Sequence, residues 1–208
     1  MYICFEGSEG SGKSTQARLL TQYLIEKEYN VLLTKEPGSE HDPVCHKIRE
    51  VLLHHTGTIS NRAELLLFEA DRAQHVDEVL LKASRNRYDF AISDRFDASS
   101  VAYQIYGRNV VSQEIFDVIN NFAKKYFSFD FTFWIDVPPK IGLERGKRLG
   151  KSDRFQREDL VFHEKVRKGY KKHFMKLKPK NAWRKIDGTL SIDEVQRIVR
   201  GIIKERFM

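Results

Sequence analysis

The chain of 208 residues is long enough for one well-buried domain, since single cores hold to about 200 residues before chains divide. Hydrophobic residues at 41% and charged ones at 31% exclude disordered, collagenous and linker proteins, and the two cysteines, Cys4 and Cys45, exclude a multi-bridge framework or a four-cysteine zinc site and suit a reducing compartment. Lys+Arg 36 against Asp+Glu 29 leaves +7, a surplus that suits anionic ligands such as nucleotides and, by sign alone, nucleic acid as well. The N-terminus, MYICFEGSEG, carries Glu6 near its start, and no apolar run approaches the roughly 18 residues of a membrane span, so a cytoplasmic protein without membrane contact is expected.

The first strand is predicted at Tyr2 to Phe5. Directly after it, Gly7-Ser8-Glu9-Gly10-Ser11-Gly12-Lys13-Ser14 satisfies G-x-x-x-x-G-K-[ST] and leads through Thr15 into a helical run to Lys27. Glycines let such a loop curl so that backbone N–H groups point at phosphate oxygens, and the helix N-terminus adds partial positive charge. Lys13 would reach the β and γ phosphates, and the Ser14 hydroxyl would ligate Mg²⁺. Nucleoside triphosphate binding is the firm consequence, because strand, spacing and helix agree.

A second strand at Val31 to Leu33 is followed by Glu36-Pro37-Gly38, a turn that presents a carboxylate at a strand's C-terminal end, where ligands of open α/β sheets bind. A plain surface turn is the rival. Leu67-Phe68-Glu69-Ala70-Asp71-Arg72 puts Phe68 and Arg72 on one helical face, able to border a planar ligand, although alone this pattern favours a core ring with a snorkelling arginine. A third strand at Tyr88 to Ile92 precedes Ser93-Asp94-Arg95-Phe96 and a helical stretch with Ser99, Ser100, Tyr103 and Gln104. Asp94 could hold Mg²⁺ through water and Arg95 could clamp an acceptor phosphate, or the two could form an internal ion pair.

Further strands are predicted at Phe131 to Val137 and Ala182 to Ile186, with a basic stretch between them from Arg145 to Arg157 that reads as a mobile loop. The C-terminal helix carries Ile192, Val195, Val199, Ile202 and Ile203 on one face, behind a Ser191/Glu194 capping box. Strands alternating with helices imply right-handed crossovers and a parallel sheet covered on both faces, the α/β class.

The residues together resemble the thymidylate kinases, which move the γ phosphate of ATP to dTMP. The resemblance covers nearly the whole chain and rests on FEGSEGSGKST, the EPG turn, FEADRAQH, DRFDASSVAYQIYGR, ERGKRLGKSDRFQRE and FHEKVRKGY. It implies a three-layer P-loop NTPase fold with a five-stranded parallel sheet, one kinase domain over residues 1–208 with a basic lid at about 145–158, Mg²⁺ with ATP as donor, dTMP as acceptor, and a homodimer of packed helices. By the same resemblance Phe68 stacks on thymine, Arg72 contacts the base, Arg95 binds the acceptor phosphate and Tyr103 packs where a ribose 2′-hydroxyl would sit. Glu9 corresponds to the carboxylate near the sugar 3′-hydroxyl and metal, and Ser100 and Gln104 reach the base edge.

Departures from the family pattern carry information too. Some relatives place an arginine in the phosphate loop where this chain has Gly10 and Ser11, so the transition-state cation must come from the lid, with Arg148 and Arg154 leading and Lys147 next. Ser39-Glu40 follows the EPG turn where relatives usually have Gly-Thr, making that loop stiffer and more acidic. A broader deoxynucleoside monophosphate kinase is the nearest alternative. A nucleic-acid-dependent ATPase is disfavoured, because no second basic region carries interleaved aromatics.

Overall fold

The computed structural model describes residues 1–85, 87–148, 150, 153–177 and 182–207. Five strands, β1 Tyr2–Glu6, β2 Val31–Lys35, β3 Phe90–Asp94, β4 Phe131–Asp136 and β5 Trp183–Asp187, form one sheet in the order β2-β3-β1-β4-β5. Every neighbouring pair is parallel, with Phe5 opposite Asp94 and Phe133, so the C-terminal ends of the three central strands lie side by side.

Central β4, Phe-Thr-Phe-Trp-Ile-Asp, is buried at all six positions, as a strand covered on both faces must be. Its alternate residues Phe131, Phe133 and Ile135 pack with Leu20 and Leu24 of α1 (Lys13–Ile25) and with Val199 and Ile203 of α9 (Ile192–Phe207). Trp134 faces the other way, into a cluster with Tyr103, Val166 and Tyr170. That second layer holds α2 (Pro43–His54), α3 (Asn61–His75), α5 (Asp97–Ser100) and α8 (Leu160–Leu177), completing three layers. The five-stranded parallel sheet and both helical layers agree with the expected fold. Among the described residues no helix is long and apolar enough to cross a membrane.

Two local expectations change. The third strand starts at Phe90, opposite Val31, because Tyr88 and Asp89 are used elsewhere: their N–H groups donate to Ala83 O and Asn30 O. The basic stretch does not begin as a loop. Arg145 to Arg148 are the last turn of α7 (Pro139–Arg148), and Arg145 Nη1 donates to Gly188 O at 2.7 Å, which ties the helix to the turn after β5. Leu149, Lys151 and Ser152 of that stretch lie outside the described residues. The C-terminal capping box is present, with Glu194 N donating to Ser191 Oγ at 3.3 Å and Ser191 N to Glu194 Oε2 at 2.9 Å.

Candidate active site

The loop between β1 and α1 turns on glycines. Gly12, at φ +92°, precedes α1 with no side-chain cap, so the first N–H groups of the helix are presented to whatever lies in front of them. At Gly10, φ +64°, an added Cβ would stand 1.9 Å from Gly142 O, so the loop can rest on the first turns of α7 only without a side chain there. Lys13 is buried and its Nζ lies 3.4 Å from Ser8 O, curled back along the loop.

At the end of β3 the chain enters a strained turn, with Arg95 at φ +78°, a left-handed conformation that costs on the order of 1 kcal/mol for a non-glycine residue. The turn throws the guanidinium back over the phosphate loop. Arg95 Nη2 meets Glu9 Oε1 at 2.5 Å, and Nη1 donates to Gly7 O, Ser99 Oγ and Tyr170 OH at 3.1, 3.0 and 3.1 Å. The fork also lies 5.1 Å from the centre of the Tyr103 ring, whose hydroxyl donates to Glu9 at 3.1 Å. Arg95 thus pairs with Glu9 across the loop rather than with its neighbour Asp94. Beneath this hub lies Glu6, accepting from Phe96 N, Ser99 N, Ser99 Oγ and Tyr170 OH. Burial pushes its carboxyl up to about 7, against the pull of Ser99 and the Arg95 charge.

The opposite wall comes from the turn after β2 and from α3. Arg72 is 1% exposed and is held by Glu36 at 3.1 Å, Glu69 at 2.5 Å and Ser100 Oγ at 3.0 Å. Burial pulls its pKa down, but Glu69 and Glu36 more than offset this and leave it raised. Glu36 spends its other oxygen on His75 Nδ1 at 2.8 Å, and Asp71 accepts from Gly38 N at 2.9 Å. Burial, then the Glu36 charge, pushes Asp71 up to about 8. The Arg72 position therefore joins both sequence readings, a buried ion-pair network that also borders a ligand space. Glu40, expected to make the turn more acidic, is exposed and pairs with Lys35 at 2.5 Å.

Between these walls lies a cavity of about 420 Å³. It is lined by Glu9 from the loop and Lys13 and Ser14 at the start of α1, Glu36 and Pro37 from the turn, Phe68 and Arg72 from α3, Asp94 at the end of β3, and Arg95, Ser99, Ser100, Tyr103 and Gln104 after it. The last four share one side because α5 runs into a π-helical segment, Val101–Gly107, whose wider turn keeps residues four and five apart aligned. Gly7, Ser8, Gly10, Ser11, Gly12 and Thr15 complete the loop and the first turn of α1 without lining the cavity. Arg148 and Arg154 are also not among its walls. Arg148 is exposed at the end of α7, and Arg154 donates to Glu64 Oε2 at 2.6 Å and to Leu52 O at 3.2 Å.

Sequence reasoning missed Arg49, which lines the cavity and donates to Pro37 O at 2.6 Å, and Phe155, whose ring lies 5.9 Å from Phe68. It also missed Glu64 and the Glu6–Tyr170 support. Glu6 and Tyr170 stand inside the motifs FEG and FHEKVRKGY, but nothing in the chain's spacing says that they meet.

The residues expected to hold Mg²⁺ fit a hard cation. Asp94 Oδ1 is buried and has no hydrogen-bond partner among the described residues, and it shares the cavity with the Ser14 hydroxyl and Glu9. Oxygen donors of this kind suit Mg²⁺, which needs only one or two protein ligands beside phosphate and water.

Residues 5–199 match the family model described as thymidylate kinase. The chain is 44% identical over 209 residues to a thymidylate kinase of Acholeplasma laidlawii, covering 99% of this chain and all of that protein. It is also 44% identical over 206 residues to one of Thermosipho africanus, covering 99% and 98% of the two chains. Among solved structures, thymidylate kinase from Ehrlichia chaffeensis superposes with a TM-score of 0.78 at 29% identity, covering 98% of each chain.

Proposed function

The chain belongs to the thymidylate kinase family, and on that premise we propose that it moves the γ phosphoryl group of ATP onto dTMP, giving dTDP and ADP, in the cavity described above. One observation carries the reading: the phosphate-loop residues Lys13 and Ser14 share that cavity with Arg95, Phe68 and Tyr103, so that a phosphate chain and a flat base can meet there.

Phosphoryl transfer asks a protein for positioning and charge stabilisation, not for a nucleophile of its own. The backbone of Gly7 to Thr15 takes the ATP phosphates and Lys13 uncurls from Ser8 O onto the β and γ groups. Phe68 stacks on thymine, Arg72 borders its edge with Ser100 and Gln104, and Tyr103 fills the space of a ribose 2′-hydroxyl. The acceptor phosphate takes over part of the Arg95 fork from Glu9, which then serves the sugar hydroxyl. Ser99 and Tyr170 keep that fork aimed, and Glu36 and Pro37 close the far end. Mg²⁺ held by Ser14 and Asp94, with Glu9 nearby, would neutralise charge on the phosphates.

The lid cation is Arg148 in this reading, supported by its exposed place at the end of α7, while Arg154 is occupied by Glu64. We read residues 1–208 as one kinase domain with its lid at about 145–158, and the free buried thiols Cys4 and Cys45 support a cytoplasmic setting. A homodimer is supported by an apolar stripe on α6 (Gln113–Lys124), where Ile115, Val118 and Phe122 are 53%, 72% and 86% exposed. Sedimentation at the mass of one chain would sink the dimer.

ADP production from Mg·ATP, measured with no acceptor and then with dTMP, dUMP, dCMP, dAMP, dGMP and the ribose counterpart of dTMP, tests the activity. Strong stimulation by dTMP is expected, and dUMP should trail by about 10- to 200-fold, which is all that one methyl group in an apolar pocket contributes. No response to dTMP would refute the reading.

A further inference from the structure

A glutamine at a base edge is ambivalent, because half a rotation of its amide exchanges donor and acceptor. Thymine offers a ring N–H between two carbonyls, whereas cytosine offers a bare ring nitrogen beside an amino group, so a freely turning glutamine could greet either. Gln104 is not free to turn. Its Nε2 donates to Glu64 Oε1 at 3.0 Å, and Glu64, at 0% exposure, is hemmed by two guanidinium groups. Arg108 Nε reaches the same oxygen at 3.4 Å and Arg154 Nη2 the other at 2.6 Å. Arg108 is braced in turn by Glu158 at 2.7 Å and by the Phe162 ring at 4.6 Å. With two cations on it the carboxylate acts as an acceptor only. Turning Gln104 over would set its carbonyl against that carboxylate in a buried place, one acceptor facing another, a costly arrangement.

We propose that Glu64 is the specificity-determining positioning residue of the acceptor pocket: it locks the Gln104 amide with the carbonyl left for the base, which admits the ring N–H of thymine or uracil and refuses cytosine. The inference rests on the dTMP kinase reading above. Glu64 touches no substrate; it acts through Gln104. Nothing local marks it in the sequence, since it lies in the first turn of α3 behind the Ser60 N-cap and reads as an ordinary helix-start carboxylate.

The test compares kcat/KM for dTMP and dCMP in the wild-type protein, in E64Q and in Q104L. The wild-type protein should prefer dTMP strongly; no turnover with dTMP would overturn the kinase reading and this inference together, and equal use of dCMP would overturn the inference alone. In E64Q the new amide can donate or accept, Gln104 can turn, and the dTMP-to-dCMP preference should fall by about tenfold or more. The ratio is taken on one preparation, so the folded fraction cancels, and an unchanged ratio in folded E64Q overturns the inference. Should unpairing Arg108 and Arg154 prevent E64Q from folding, Q104L decides, because loss of the amide should lower the preference by about tenfold or more and an unchanged preference refutes the role. In the Q104L background E64Q should change the ratio no further, and an added loss would mean that Glu64 acts on the pocket by another route, which also overturns the proposal.

Discussion

The proposed donor loop and the proposed acceptor pocket meet where Arg95 pairs with Glu9, yet they are built by opposite means. The loop is backbone, drawn from consecutive residues 7–15 and shaped by glycines at Gly7, Gly10 and Gly12. The pocket is side chain, assembled from the turn after β2, from α3, from the end of β3 and from the π-helical segment, and each group in it is held by others: Arg72 by Glu36 and Glu69, Arg95 by Glu9, Ser99 and Tyr170. A site made of backbone should fail through conformation and steric contact. A site made of side chains should fail through lost partners, and its failures should spread.

The contrast can be broken most forcefully at the two cations. Lys13→Ala removes the loop's one cationic side chain and should lower kcat by about 10³-fold, while ATP binding, which the proposal assigns to backbone, should fall far less; stopped assays at saturating substrate with a separate ATP titration check the split. Arg95→Ala should cost about 10²-fold in kcat/KM for dTMP with the KM for ATP nearly unchanged, and it leaves Glu9 without its 2.5 Å partner. An effect of Arg95→Ala on ATP alone would contradict the division of labour.

Steric contact sharpens the comparison on the loop side. Gly10→Ala meets the Gly142 carbonyl at 1.9 Å from an unfavourable φ and should cost about 2–4 kcal/mol. Gly12→Ala has nothing within 4 Å and should cost only its backbone strain, about 1–2 kcal/mol. Denaturant unfolding of the two variants measures the difference.

The most gradual effect, spread over pH, belongs to the support under the pocket. Glu6 titrates near 4.5 in the unfolded chain and near 7 when folded, so between those values the folded protein holds a proton that the unfolded chain has released. Its contribution is therefore fully present below about pH 4.5, falls by at most about 1.4 kcal/mol per pH unit as pH rises, and levels off above 7. Glu6→Gln should remove that slope. Unfolding free energies of both proteins at pH 5, 6, 7 and 8 should differ by an amount that changes steadily up to pH 7, and a constant difference would show that Glu6 is not the titrating group.

The sequence by itself determined the phosphate loop, because a strand, a fixed glycine spacing and a following helix are local and leave the backbone little choice. It determined the alternation of elements, and so the parallel sheet, through apolar runs and caps such as Ser191 with Glu194. It also named most of the cavity's lining, Lys13, Ser14, Glu36, Asp94 and Arg95 from motif and position and the base-facing residues by family resemblance, since Phe68 and Arg72 read alone as core. What only the tertiary structure decided was pairing across distance: that Arg95 would meet Glu9, that Glu6 would lie under Tyr170 from 164 residues away, and that Arg154 would go to Glu64 instead of the cavity. A spacing rule reports which residues share one turn or one face. Which charges share a buried space depends on strand order and on how α8 and the π-helical segment pack, and those are properties of the assembled sheet and its layers.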